Sequence, residues 1–335
     1  MKATMEQVAK RAGVSKALVS RYINTGAGVG RKSAEKIQEA IRHYQYHLPG
    51  LAAGSEIAML VNGLSGFHRP LIQACFDTAF EENYLFTIIE CFDDPERKEK
   101  AAEMLTRSNI RGVLVYGSEM SDKSAIQILT QAKVPLVLIE NDLPEVQADK
   151  ILVGNYQGQY RLTRKLIESG CRDLRMVPWG MSTRAGAERL SGFLSALRDG
   201  GVNAGNHYLL PLEEMTIDCA VNMVKRLLAA DELPDVFVCG DDDTAQLMAA
   251  ACAEAGLRIP EEIGVTGFDG IPAQGAYFRA AELTTMRQPF AEMGSLAVRR
   301  LIRKIEYPKT AVETVLFEAE LIEGATTKPL IHSDQ

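Results

Sequence analysis

The chain lacks any apolar run approaching the roughly 18 residues that a membrane-spanning helix requires, and its start lacks the pattern of a secretory leader. A membrane span is therefore not expected, and a cytoplasmic location is. Six cysteines are scattered at Cys75, Cys91, Cys171, Cys219, Cys239 and Cys252, with no C-x-x-C pair and no histidine at metal-ligand spacing. Reduced, buried thiols are expected, with neither a disulfide framework nor a metal site. Only five histidines occur, dispersed along the chain. A phosphate loop, a G-x-G-x-x-G turn and a nucleophile elbow are missing. An enzyme and a cofactor are accordingly not expected. The "DDD" run at 241–243 is the one feature that invites paired-acid or metal chemistry, and nothing joins it.

What remains is an ordinary globular composition, 46% apolar and 24% charged over 335 residues, which suits two or three domains. The net charge of −7 argues by itself against a nucleic-acid partner, but its distribution argues the opposite. Residues 1–48 hold nine Lys/Arg against three acids, or +6, which leaves −13 for the remainder. A basic head on an acidic body is the footprint of a small DNA-reading unit joined to something else.

Within that head, Met5–Asn24 reads as two short helices and a tight turn. Thr4 followed by Gln7 forms a capping box. Val8, Ala9 and Ala12 make an apolar stripe, Gly13 suits a left-handed turn, and Ser15 caps the second helix. In that helix Leu18, Val19 and Ile23 are the apolar positions, while Lys16, Ala17, Ser20 and Arg21 face outward. A Gly-rich turn and a third helix, with Ile37, Ala40, Ile41 and Tyr44 on one face, complete a helix-turn-helix head over 1–48.

The stretch "VAKRAGVSKALVSRYIN" resembles the N-terminal signature of the lactose-repressor (LacI/GalR) family of bacterial regulators, matching at Val8, Ala9, Ala12, Gly13, Val14, Ser15, Val19, Ser20 and Asn24, with Leu18 as a departure. The resemblance implies a second helix that enters the major groove. The expected DNA contacts are Thr4, Ser15, Lys16, Ala17, Leu18, Ser20, Arg21, Asn24, Arg31 and Lys32. Lys16 and Arg21 suit guanine, Ala17 suits a thymine methyl, and Ser15, Ser20, Asn24, Arg31 and Lys32 suit phosphates. The connector at 49–56 is shorter than the family's. Leu51 and Ala52 are either a vestige of its minor-groove hinge helix or part of a plain tether.

From 57 onward short, branched, near-continuously apolar runs alternate with helical stretches, and the alternation restarts after about Val153. This predicts a mixed α/β body, two doubly wound lobes of parallel sheet facing across a cleft. The resemblance extends to periplasmic sugar-binding proteins. It gives an effector-binding and dimerisation core over 57–335, with one lobe over about 57–152 and 287–314 and the other over about 153–286 and 315–330.

Carboxylates at strand ends, namely Glu140, Asp241, Asp242 and Asp269, with Arg189 at the start of a helix turn, suit a hydroxyl-rich ligand, since planar charged groups pair bidentately with vicinal hydroxyls. Helix capping competes as a reading of Asp241 and Asp242, a turn as a reading of Asp269, and core packing as a reading of Trp179. The family pattern points to Arg189 in "RLSGF", Asp241 in "CGDDDTA" in place of an Asn, Asp269 in "VTGFDG" and Glu140 after "VPLVLI" as effector contacts. It adds Gln288 in "LTTMRQPF", Phe67 and His68 after the first strand, and Met215. The expected protein is a homodimeric, nucleoid-associated transcriptional regulator, a repressor by family habit. Its binding to a pseudo-palindromic operator answers to a carbohydrate effector. The alternative is a sugar-binding sensor whose short linker has impaired its control of DNA.

Overall fold

The computed structural model describes residues 4–24, 29–44, 55–64, 68–117, 119–203, 207–272 and 282–330. Three helices form the head: α1 (Met5–Ala12), α2 (Lys16–Asn24) and α3 (Arg31–Tyr44). Val8, Ala9, Ala12, Val19, Ile37 and Ala40 close a core of their own between them.

The body holds two sheets. The first contains β1 (Glu56–Val61), β2 (Leu85–Glu90), β3 (Gly112–Tyr116), β4 (Leu136–Ile139), β5 (Asp149–Val153) and β10 (Thr314–Phe317), in the order β10-β5-β4-β3-β1-β2. All its pairings are parallel. Helices α4 (Arg69–Glu81) and α11 (Phe290–Glu306) pack together, as do α5 (Pro95–Thr106) and α6 (Glu119–Gln131). The second sheet runs β11-β9-β8-β7-β6, built from β6 (Leu174–Val177), β7 (Val236–Cys239), β8 (Gly264–Asp269), β9 (Thr284–Arg287) and β11 (Glu320–Ile322). It is parallel except at β11, which runs against β9. Its helices are α7 (Asn155–Glu168), α8 (Arg184–Asp199), α9 (Ile217–Ala229) and α10 (Asp242–Glu254). Strands β1, β3, β4, β7 and β8 are buried at nearly every position. Burial on both faces explains why their sequences read as unbroken apolar runs rather than alternating ones.

The structure departs from the sequence reading in three places. The expected strand "HYLLPL" is a single bridge, Leu209 to Met176, because Pro178, whose N–H would have to donate to the Leu210 carbonyl in the next rung, has none. Strand β5 was not anticipated. It opens on Asp149 and Lys150, whose charges are answered by Lys304 at 3.2 Å and Asp142 at 2.7 Å. The last expected strand, "TVLFEAEL", is two: β10 joins β5 in the first sheet, and the chain then crosses to β11 in the second. Residues 315–317 thus belong to the first lobe, not the second. All six cysteines are unpaired thiols, four of them buried.

Candidate functional site

The head displays one charged helix face. Thr4 Oγ1 accepts from the Gln7 N–H at 3.3 Å, and Gln7 Oε1 accepts from the Thr4 N–H at 2.7 Å. Gly13, at φ 64°, turns the chain into Ser15, whose Oγ accepts from the Leu18 N–H at 3.2 Å. These caps set the phase of α2. Val19 points into the core and Leu18 packs half-buried on it, while Lys16, Ala17 and Arg21 are exposed and Ser20 is half-buried. Lys16 lies 3.9 Å from Glu6, and both side chains are largely in solvent, so this contact restrains Lys16 little. Lys32 is exposed at the start of α3. Asn24 and Arg31 fall within helices, but their side chains lie outside the described residues, as do Leu51, Ala52 and Phe67 altogether.

A cavity of about 320 Å³ opens between the lobes. The first lobe supplies Asn62 and Gly63 after β1, His68, Asp93 after β2, Tyr116 and Gly117 around the end of β3, and Glu140 after β4. The second supplies Trp179 after β6, Thr183, Arg184, Ala185 and Arg189 from the start of α8, and Asp269 at the end of β8. Gln288 lies where the chain crosses between them. Every contribution comes from the carboxyl end of a strand or the helix that follows, where ligands of open α/β sheets bind. Asp93, Glu140 and Asp269 hold positive φ values of 54°, 54° and 123°. For non-glycine residues such backbone costs of order 1–3 kcal/mol, and it concentrates at ligand sites.

Arg189 is at the centre. It donates through Nε to Asn155 Oδ1 at 2.9 Å, through Nη1 to the Gly240 carbonyl at 2.7 Å, and through Nη2 to Asp269 Oδ1 at 2.9 Å. Its guanidinium also lies 3.9 Å from the Phe268 ring centroid. Gln288 Nε2 donates to the same Asp269 oxygen at 2.6 Å. Burial pushes Asp269 up to about 8 against the opposing pull of Arg189. Glu140 is also raised by burial, opposed by Arg184 and by hydrogen bonds from Val153 and Asn155. Burial raises the Tyr116 phenol well above its ordinary range, so it stays protonated. Three residues of "RLSGF", Arg189, Gly192 and Phe193, have a physical role here. A Cβ at Gly192 would lie 2.3 Å from the Tyr156 carbonyl, so glycine lets α8 approach α7, while Phe193 fills the core beneath Arg189.

The cavity thus gathers His68, Glu140, Arg189, Asp269 and Gln288 from the sequence-derived set. It does not gather three others. Asp241 is the N-cap of α10, accepting from the Thr244 N–H at 2.8 Å, and stands outside the cavity wall. Asp242, fully buried, accepts from Thr285 Oγ1 at 2.6 Å and the Ile271 N–H at 2.8 Å, and so shapes the chain beyond β8. Met215 is 51% exposed in the bend before α9, also away from the wall. The sequence reading missed Asn62, Asp93, Tyr116, Thr183, Arg184 and the buried linker Asn155. Asn62 is fixed by the fully buried Lys98, whose ammonium also binds Asp122. Thr183 and Asp94, both helix caps, were visible as capping signals; the charged neighbours Arg184 and Asp93 were not singled out.

Among the described residues, no group of His, Cys, Asp and Glu is arranged to hold a metal, and no helix is long and apolar enough to cross a membrane.

Comparison with known proteins places both parts. Residues 4–48 match the model of bacterial regulatory proteins, lacI family, and residues 163–327 that of a periplasmic binding protein-like domain. Over 329 residues the chain is 24% identical to the HTH-type transcriptional repressor PurR of Actinobacillus pleuropneumoniae serotype 3 (strain JL03), covering 96% of this chain and 97% of that one. The lac repressor dimer bound to operator and the anti-inducer ONPF superposes with a TM-score of 0.75 at 19% identity, covering 98% of this chain and 99% of that one. The transcriptional regulator CelR in complex with cellobiose gives 0.69 at 24% identity, covering 97% and 99%.

Proposed function

This chain belongs to the lacI family of bacterial regulatory proteins, and from that premise we propose that it represses transcription at an operator under the control of a neutral, hydroxyl-rich effector, a sugar or sugar derivative, held between its lobes. It is a DNA-binding regulator and not an enzyme. Repression requires two heads to reach adjacent half-sites, hence a homodimer on a pseudo-palindrome. Lys16 and Arg21 read guanine, Ala17 meets a thymine methyl, and Ser15, Ser20 and Lys32 hold the backbone. The second copy covers the first lobe's edge, where Phe76, Phe80 and Leu85 expose apolar surface on α4 and the edge strand β2. A protein bound to an operator works in the cytoplasm, on the nucleoid.

One observation carries the choice of effector: both arginines of the described cavity wall are already paired with carboxylates. Arg189 is paired with Asp269 and Arg184 with Glu140, at 2.9 and 3.3 Å. Among the described residues of the wall, an anionic effector would meet these carboxylates with both arginines already paired. A neutral polyol instead meets mixed donors and acceptors together with the ring faces of His68, Tyr116 and Trp179. The CelR structure is described as a complex with cellobiose, and the lac repressor structure as bound to operator and the anti-inducer ONPF. The sensor-only alternative is not favoured, because the head keeps its own core, turn and caps.

A thermal-shift screen of the full chain tests the reading. Stabilisation by neutral mono- or disaccharides is expected. Stabilisation by sugar phosphates or sugar acids alone would refute it.

A further inference from the structure

Arg184 opens α8 in the second lobe, and Glu140 follows β4 in the first. Their side chains meet across the cleft, Nη2 to Oε1 at 3.3 Å, and both line the cavity. Each also has a partner on its own side. Arg184 donates through Nη1 to Glu188, four residues along α8, at 2.7 Å. Glu140 accepts from the Val153 N–H at 2.6 Å and from Asn155 Nδ2 at 3.2 Å.

Breaking a largely buried ion pair is normally costly because it strands a desolvated charge. Here it strands neither: Glu188 keeps Arg184, while Val153 and Asn155 keep Glu140. The cross-cleft contact is also the longest of the four, so it is the one that gives first when the lobes separate. Each charge therefore keeps a partner whether the lobes are together or apart, which is the condition for a small ligand to shift the balance between the two.

We propose that Arg184 is a switch residue shared by two carboxylates, Glu140 across the cleft and Glu188 on its own helix, whose competition sets how closed the lobes are before effector binds. An effector whose hydroxyls engage Glu140 or Arg184 then tips that competition, which couples occupancy to lobe position. This inference rests on the cleft being the effector site. It makes a signed prediction that simple structural support would not. Removing Arg184 undoes the latch, whereas removing Glu188 strengthens it.

The test is pulsed electron resonance on the full chain without DNA or ligand. Spin labels go on Lys100→Cys in α5 and Lys225→Cys in α9, both exposed, with Cys171 and Cys219 replaced by Ser. Arg184→Met is expected to move the inter-lobe distance distribution to longer values and Glu188→Gln to shorter ones. The double variant should match Arg184→Met. Unchanged distributions in both single variants, or movement in the same direction, would overturn the proposal. Failure of the regulator reading would show elsewhere, as absence of operator binding, and would leave this measurement intact.

Discussion

Arg189 and Asp269 form an ion pair at 2.9 Å in which the side chains are 3% and 7% exposed, and Gln288 donates to the same carboxylate oxygen. The pair joins α8 to the end of β8 and stands at the inner wall of the cavity. Removing Arg189 leaves Asn155 Oδ1, the Gly240 carbonyl and Asp269 Oδ1 buried without their donor. Arg189→Ala is expected to destabilise the body by about 1–3 kcal/mol for each acceptor left unsatisfied and to abolish effector-induced stabilisation, read by thermal unfolding. Asp269→Asn keeps the acceptor oxygen and the shape, so its loss of stability should be smaller.

The same carboxylate gives the body a pH signature. Burial holds Asp269 at about 8 and Asp242 at about 6 in the folded chain, against an ordinary 3.8. Both folded values are raised, so between about pH 4 and 8 the folded state binds more protons than the unfolded one. Stability is then greatest at the acid end of that window and falls as pH rises through it. Melting temperature against pH should show that decline, and Asp269→Asn should flatten its upper half. A decline of unchanged steepness in Asp269→Asn would remove Asp269 as its source.

Asp241 separates capping from ligand binding. Its carboxylate accepts the Thr244 N–H at the start of α10 and does not reach the cavity wall. Asp241→Ala should lose about 0.5–2 kcal/mol, the range for a lost N-cap, with effector affinity unchanged. A large loss of affinity at near-normal stability would return Asp241 to the site.

This case also marks where sequence reading stopped. Strand–helix alternation was legible because the parallel strands are buried on both faces, and the head because its caps and turn are local. Strand β5 was not legible: Asp149 and Lys150 are buried only because Lys304 and Asp142 neutralise them, and Lys304 lies far along the chain. An aspartate at a strand end has one appearance in sequence whether it caps a helix, as Asp241 does, or faces the cleft, as Asp269 does. Asn62, Tyr116 and Arg184 became visible only once the strand-end loops were assembled around one space.

Phe80 is 83% exposed beside Phe76 on the apolar edge of the first lobe. Phe80→Glu should leave the monomer's stability within about 0.5 kcal/mol and shift the dimer to monomer in sedimentation velocity. A wild-type sedimentation profile would remove this face as the interface.

The central claim joins an exposed reading helix to an effector in the cleft. Fluorescence anisotropy of the full chain on DNA from upstream of its own operon, at moderate salt, with and without the saccharide that stabilises it, tests both ends at once. Site-selective binding that the saccharide alters is expected in the wild type. Arg189→Ala should bind DNA but ignore the saccharide, whereas Arg21→Ala should lose about 1–3 kcal/mol of discrimination between operator and random DNA. Absence of site-selective binding in the wild type, or an undiminished saccharide response in Arg189→Ala, would contradict the account.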